Sequence, residues 1–148
     1  MDVTADLHAP CDPETLFAWV EDLERYPQWL SIVPRAQPDP ERTGDRGIAW
    51  RIDLRGRIGP LSRSKRLRMV RTRHEPPHVA VFEREEQDGQ DHAPWVLRAT
   101  VTPEPNGSKL TMHLHYGGRL WEPLVERLLR DEIDASRARL LALVASPS

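Results

Sequence analysis

Residues 120–144 read LWEPLVERLLRDEIDASRARLLALV, and this stretch decides the architecture. At 1.5 Å per residue it makes a helix of roughly 37 Å. Pro123 is compatible only with a first turn, so the regular helix begins at Trp121 or Glu122. Trp121, Leu124, Val125, Leu128, Leu129, Ile133, Leu140 and Val144 form a broad apolar stripe. Glu126, Arg127, Arg130, Asp134 and Arg137 lie mostly off it. Such a helix must lay one face on something large and apolar. The surface available is a sheet.

The residues before the helix supply that sheet. Ile48, Trp50, Ile52 and Leu54 alternate with Ala49, Arg51 and Asp53. Leu61 to Thr72 carries Leu67 and Met69 on one face, and Val79 to Glu86 carries Val79, Val81 and Phe82. Trp95, Leu97, Ala99 and Val101 alternate cleanly, as do Leu110, Met112, Leu114 and Tyr116. Turn residues separate these runs at 44–47, 56–60, 75–77, 88–90 and 106–107. Asn106-Gly107 is the strongest hairpin signal, because both residues tolerate the positive φ of a type I′ turn. Short connections between successive strands imply an antiparallel meander. Further upstream, Val3, Ala5, Leu7 and Ala9 alternate with Thr4, Asp6 and His8 as in a half-buried strand. Asp12-Pro13 then opens a helix carrying Leu16, Phe17 and Val20. Tyr26, Trp29, Leu30 and Val33 suggest a second short helix before Pro34. The expected fold is α+β: a strand, two short helices, a curved antiparallel sheet of about six to seven strands in all, and a long C-terminal helix that the twisted sheet wraps.

Composition narrows the functional classes. The 148 residues are expected to form a single ligand-binding domain over 1–148. Twenty-one basic and 23 acidic side chains give a net charge of −2, which argues against a protein that coats nucleic acid. One cysteine, Cys11, precludes an intramolecular disulfide and a Cys-rich zinc site. The start, Met1-Asp2-Val3-Thr4, has no basic and apolar leader, and no apolar run approaches the ~18 residues of a membrane span. The expected compartment is cytoplasmic. Nucleotide-binding, serine-hydrolase and zinc-protease signatures are missing.

Several short motifs carry a resemblance. Asp22-Leu23-Glu24-Arg25-Tyr26-Pro27-Gln28-Trp29-Leu30 resembles the D-x-E-x-Y-P-x-(aromatic)-L stretch of the coenzyme Q-binding and polyketide cyclase/dehydrase branch of the START / Bet v 1-like (SRPBCC) superfamily. Ala9-Pro10 before Asp12-Pro13-Glu14 is similar to that branch's A-P-x-E opening, lengthened by one residue. Trp95 with Leu97 resembles its W-x-F/L strand, and Gly118-Arg119-Leu120 its G-x-L junction. The resemblance spans almost the whole chain and implies a helix-grip fold. It also implies a cavity between sheet and helix that takes a bulky hydrophobic molecule such as a polyketide, quinone or lipid; no cofactor is expected. Some members are polyketide aromatases/cyclases, and some bacterial relatives associate with ribosomes, so enzyme and interaction module stand as alternatives to a binding or transport protein.

Individual residues can then be weighed. Trp50, Trp95 and Trp121 sit on apolar faces, where each either packs in the core or walls a cavity. A buried indole N–H wants a partner. Tyr116 ends an apolar face with a hydroxyl, and Tyr26 and Trp29 flank the expected cavity mouth. Leu97, Met112, Val125 and Leu128 complete the expected ligand-binding wall. Glu132 falls with Trp121, Val125 and Leu128 on a helical wheel, where an unpaired carboxylate is costly. It must pair with an arginine, face a wet cavity or shift its pKa, and contact with ligand or cavity water is expected. Arg98 lies opposite Trp95 and Leu97 and should face solvent. Neither it nor Arg84 matches a cyclase's cavity arginine, so no catalytic residue is expected. His113 and His115 share a strand face, but that face is the solvated one and two ligands do not make a metal site. Arg55 to Arg73 holds eight basic residues and no acid, whereas Glu83 to Asp91 holds five acids. A hairpin at 75–77 would lay these runs side by side, favouring cross-strand pairing over a nucleic-acid patch. The hydrophobic small molecule is thus the expected partner, and the sequence sets no oligomeric state.

Overall fold

A computed structural model describes residues 1–58, 61–117 and 122–145, with side chains described at 1–56, 64–117 and 130–145. In chain order the elements are β1 (Asp2–Ala9), α1 (Pro13–Phe17), a 3₁₀ helix (Leu23–Gln28), β2 (Arg35–Asp39), β3 (Ala49–Ile58), β4 (Leu61–Glu75), β5 (Val79–Arg84), β6 (Trp95–Glu104), β7 (Gly107–Tyr116) and α2 (Glu122–Ala145). The seven strands form one open antiparallel sheet in the order β1-β7-β6-β5-β4-β3-β2. This is the α+β arrangement that the element order predicts, a curved sheet gripping a long C-terminal helix.

Local chemistry explains the helical entrance. The Asp12 carboxylate accepts from the Thr15 N–H at 2.7 Å, which caps α1, and Pro13 occupies its first turn. Asp22 caps the 3₁₀ helix by accepting from the Glu24 N–H at 2.9 Å. Pro27 lies inside this short element, whose core-facing residues Leu23 and Tyr26 are buried. The second helical segment is therefore 3₁₀ and stops at Gln28, before Trp29 and Leu30.

Strand register puts the apolar residues on one face. Leu7 pairs with Leu110, Leu110 with Val101, Phe82 with Leu97, and Ile52 with Leu67. These side chains meet α1, the 3₁₀ helix and the C-terminal half of α2 in one core. At its centre the Phe82 ring lies 5.7 Å from that of Trp50 and 6.2 Å from that of Tyr26, both edge-on.

Two details differ from the sequence-based expectation. β2 has no alternating apolar signal and contains Pro38; it is an edge strand paired only with β3, the place where a sheet tolerates proline. In the β6–β7 hairpin, Glu104 pairs with Gly107, so the two loop residues are Pro105 and Asn106, one position earlier than expected. Pro105 has the fixed φ that suits the first central position of an ordinary turn. Gly107 is the glycine that matters: a Cβ there would stand 2.0 Å from the Ala9 carbonyl oxygen. The turn signal at 56–60 includes residues 59–60, which lie outside the described residues.

The basic and acidic runs do lie on adjacent strands, since Met69 pairs with Arg84 and Val70 with Glu83. Their side chains mostly find other partners. Arg66 donates to Asp53 at 2.9 Å, and Arg46 of the β2–β3 loop takes both Glu83 and Glu85. Arg68 is fully buried. Its Nε donates to Asp39 at 2.7 Å, and its two terminal nitrogens hold Asp45 at 3.0 and 2.7 Å. The Glu85 and Pro40 carbonyls accept at 3.1 and 3.2 Å. All five guanidinium donors are thus used. The charge segregation serves a buried bidentate network on the outer face more than pairing between β4 and β5.

Candidate functional site

Between the sheet and α2 the packing leaves a cavity. Its volume is about 130 Å³, and it opens to solvent at a mouth. The inward positions of five strands supply most of its wall: Val3, Ala5 and Leu7 of β1, Ile52 and Leu54 of β3, Leu67 and Met69 of β4, Trp95 and Leu97 of β6, and Leu110, Met112 and Leu114 of β7. Leu23, Tyr26, Trp29, Leu30, Ile32 and Val33 close one side. Glu132, Ile133, Ser136, Arg137 and Leu140 of α2 complete the lining. The period-2 alternation of the strands therefore builds the wall directly.

Polar atoms on this wall are nearly all satisfied by the protein itself. The Tyr26 hydroxyl donates to the Val20 carbonyl at 2.9 Å, so Tyr26 offers the cavity its ring. Burial pushes that hydroxyl's pKa far up. Ser136 Oγ turns back to the Ile133 carbonyl at 2.8 Å. Arg137 Nε donates to the Asp6 carbonyl at 2.9 Å, and Arg139 donates to the Trp29 carbonyl at 3.1 Å. These two bonds tie α2 to β1 on one side and to the segment after the 3₁₀ helix on the other. Glu132 is half-buried at the cavity, and its carboxylate accepts from the Ser31 hydroxyl. Of the three outcomes open to Glu132, an arginine partner is not the one found among the described residues.

The indoles separate into two groups. Trp29 Nε1 donates to the Trp19 carbonyl at 3.2 Å, and Trp50 Nε1 to the Glu24 carboxylate at 3.3 Å. Trp95 Nε1 is buried and has no acceptor among the described residues. An unpaired donor of this kind costs about 1–3 kcal/mol. The Trp95 ring packs against Tyr116 with centroids 4.4 Å apart.

Six of the eleven residues expected in the site line the cavity: Tyr26, Trp29, Trp95, Leu97, Met112 and Glu132. Trp50 shares the inward face but is covered by Phe82 and by the Arg71 guanidinium 5.7 Å from its ring centroid. Tyr116 stands behind Trp95 and is not part of the wall. Trp121 and the side chains of Val125 and Leu128 lie outside the described residues. Arg98 is exposed. His113 and His115 both contact one Asp2 oxygen on the outer face, at 2.9 and 3.1 Å. Among the described residues no group of three or more His, Cys, Asp or Glu is arranged to hold a metal.

Lys65 and Glu86 escape the sequence reading, which weighs Arg84 without assigning it to a face. Lys65 pairs with Leu54 and so points from the same face, but it is exposed and lies outside the cavity wall; its Nζ is 6.0 Å from the Trp95 ring centroid. Arg84 pairs with Met69 on the same face, and its side chain is only 8% exposed. Glu86 accepts from Arg84 Nε at 3.2 Å and from the Arg68 backbone N–H at 3.0 Å. The signal existed, because Lys65 alternates with Leu67 and Met69, and Arg84 with Ala80 and Phe82.

Comparison with known proteins fits this geometry. Residues 1–145 match the sequence profile of the family described as polyketide cyclase / dehydrase and lipid transport. No curated protein matches the chain. Among solved structures, protein CV1439 from Chromobacterium violaceum superposes with a TM-score of 0.71 at 12% identity, covering 99% of this chain and 98% of that one. A START superfamily protein from Mycobacterium smegmatis gives 0.70 at 18% identity, covering 97% and 96%. The di-domain ARO/CYC StfQ from the steffimycin biosynthetic pathway gives 0.65 at 15% identity, covering 97% of this chain and 48% of that one. At these identities the structures establish the helix-grip fold, and the profile match over nearly the whole length establishes the family. The chain belongs to the family described as polyketide cyclase / dehydrase and lipid transport.

Proposed function

We propose that the chain binds, and carries or transports, a bulky hydrophobic small molecule of the polyketide, quinone or lipid kind in the cavity between the sheet and α2. The observation that carries this reading is an open cavity whose wall is apolar and whose few polar atoms are mostly bonded to the protein itself. Such a wall stabilises a ligand by removing its surface from water, at about 25 cal/mol per Å² of apolar area. The ligand contacts are Tyr26, Trp29, Trp95, Leu97, Met112 and Glu132. Trp50 and Tyr116 support that wall from behind. Residues 1–148 act as one domain, and the cytoplasm is its compartment.

The family description keeps an aromatase/cyclase as the second reading. Such chemistry needs inward titratable groups close to a cation. Here the Arg84 guanidinium is engaged by Glu86 and by the Ala93 carbonyl at 3.4 Å. The Asp6 carboxylate points away and accepts from Thr111 at 2.8 Å. This leaves Glu132 as the described carboxylate at the cavity, which favours binding over catalysis.

Titration with the neutral fluorophore 1-aminoanthracene tests the reading. Saturable binding of one molecule per chain is expected. Ala5→Phe, which fills the wall from β1, should weaken it by about tenfold or more. Unsaturable binding, or equal affinity in a folded Ala5→Phe variant, would overturn it.

A further inference from the structure

We propose that the Trp95 end of the cavity is a carboxylate subsite, in which Trp95 Nε1–H and the Lys65 ammonium receive the acid group of an amphipathic monocarboxylate. This rests on the binding function proposed above and names the ligand class for it.

Trp29 and Trp50 each have an acceptor for their N–H, and Trp95 does not, although its Nε1 is buried. A buried donor on a cavity wall selects a ligand that brings an acceptor. Lys65 adds a formal charge. Its register partner Leu54 lines the cavity, and its Nζ stands 6.0 Å from the Trp95 ring centroid. Glu86, just past the end of β5, is the carboxylate whose charge reaches Lys65, and it is already held by Arg84 Nε and the Arg68 backbone N–H. Arg84 and Glu86 form an ion pair at 3.2 Å, and among the described residues no carboxylate stands within salt-bridge distance of Lys65, although the charge of Glu86 reaches it. Lys65 is exposed; partial desolvation of its ammonium and the nearby Arg84 disfavour the charged form, and Glu86 opposes them.

This arithmetic selects one class of ligand. A neutral carbonyl would satisfy the indole and leave the ammonium uncompensated. A dianionic phosphate would bring one charge too many for the Lys65 ammonium. A carboxylate matches both groups through charge-assisted hydrogen bonds. Glu132, on the α2 side of the cavity with Ser31, repels an acid and so orients the molecule with its carboxylate at Trp95.

Displacement of 1-aminoanthracene by dodecanoate and by dodecanol measures the preference directly. The wild-type chain should bind dodecanoate about tenfold or more tighter than dodecanol. That acid-to-alcohol ratio should fall to near one in Trp95→Phe and in Lys65→Gln, and persist in Lys65→Arg. A wild-type ratio near one, or a ratio unchanged in folded Lys65→Gln, overturns the subsite. If the fluorophore binds saturably but neither dodecyl compound displaces it, the subsite fails and the binding function stands. If the fluorophore itself does not saturate, both fail.

Discussion

Replacing Arg68 by methionine should destabilise the fold by about 3 kcal/mol, although the residue lies on the face of the sheet opposite the cavity. Arg68 is fully buried, and the Asp45 side chain that it clasps is fully buried with it. Methionine fills most of the volume but removes five hydrogen-bond donors and the positive charge. Removing one partner of a buried pair ordinarily costs about 3–5 kcal/mol. Asp45 keeps two other donors, the Arg42 N–H at 2.7 Å and Gln87 Nε2 at 2.6 Å, so the lower end applies. For a domain of about 150 residues that corresponds to a fall in Tm of roughly 6–12 °C. Urea unfolding followed by tryptophan fluorescence measures the loss.

The pH dependence has a defined sign. Hydrogen bonding to Arg68 holds the Asp45 carboxyl at about 2, below its ordinary 3.8. A depressed carboxyl pKa contributes stability above the unfolded value, and that stability is lost as the pH falls through the folded one. Wild-type stability should therefore drop between about pH 4 and pH 2. In Arg68→Met the remaining buried carboxyl can take up a proton, so the deficit against wild type should narrow on acidification. A loss below about 1 kcal/mol at neutral pH, or a deficit that widens in acid, would refute the reasoning.

The remaining predictions concern the cavity wall. Tyr26→Phe removes the hydroxyl bonded to the Val20 carbonyl and should cost about 1–2 kcal/mol in urea unfolding, while leaving 1-aminoanthracene affinity within about twofold. Glu132→Gln keeps an acceptor for Ser31, so its stability should stay within about 0.5 kcal/mol of wild type, while fluorophore affinity changes by about threefold or more. Unchanged affinity together with unchanged stability would remove Glu132 from the site.

Much of this structure can be read from residue order, and the exceptions have physical causes. The stripe from Leu124 to Val144 demands an apolar partner surface, and the alternation in β3, β6 and β7 supplies it. Alternation assigns a side chain to a face, which is why Trp95, Leu97 and Met112 could be placed toward α2. It does not locate a residue along the strand relative to the helices. Trp50 and Tyr116 therefore have the inward orientation without lining the cavity, one lying under Phe82 and the other behind Trp95. β2 is invisible to periodicity because an edge strand with a proline needs no apolar face. The hairpin shift has a similar origin, since Pro105 outweighs the turn preference of Asn106-Gly107. Arg68 was hidden for another reason. Its burial depends on Asp39 and Asp45, both supplied by the segment before β3, far from it in sequence.

The most direct test of the central claim is native mass spectrometry of the chain purified from its own organism, followed by solvent extraction of whatever it carries. The predicted result is a population heavier than the 17.0 kDa chain by one small molecule, released on denaturation and recovered as a hydrophobic compound. A chain found only at its own mass, which also fails to take up 1-aminoanthracene, would contradict the claim.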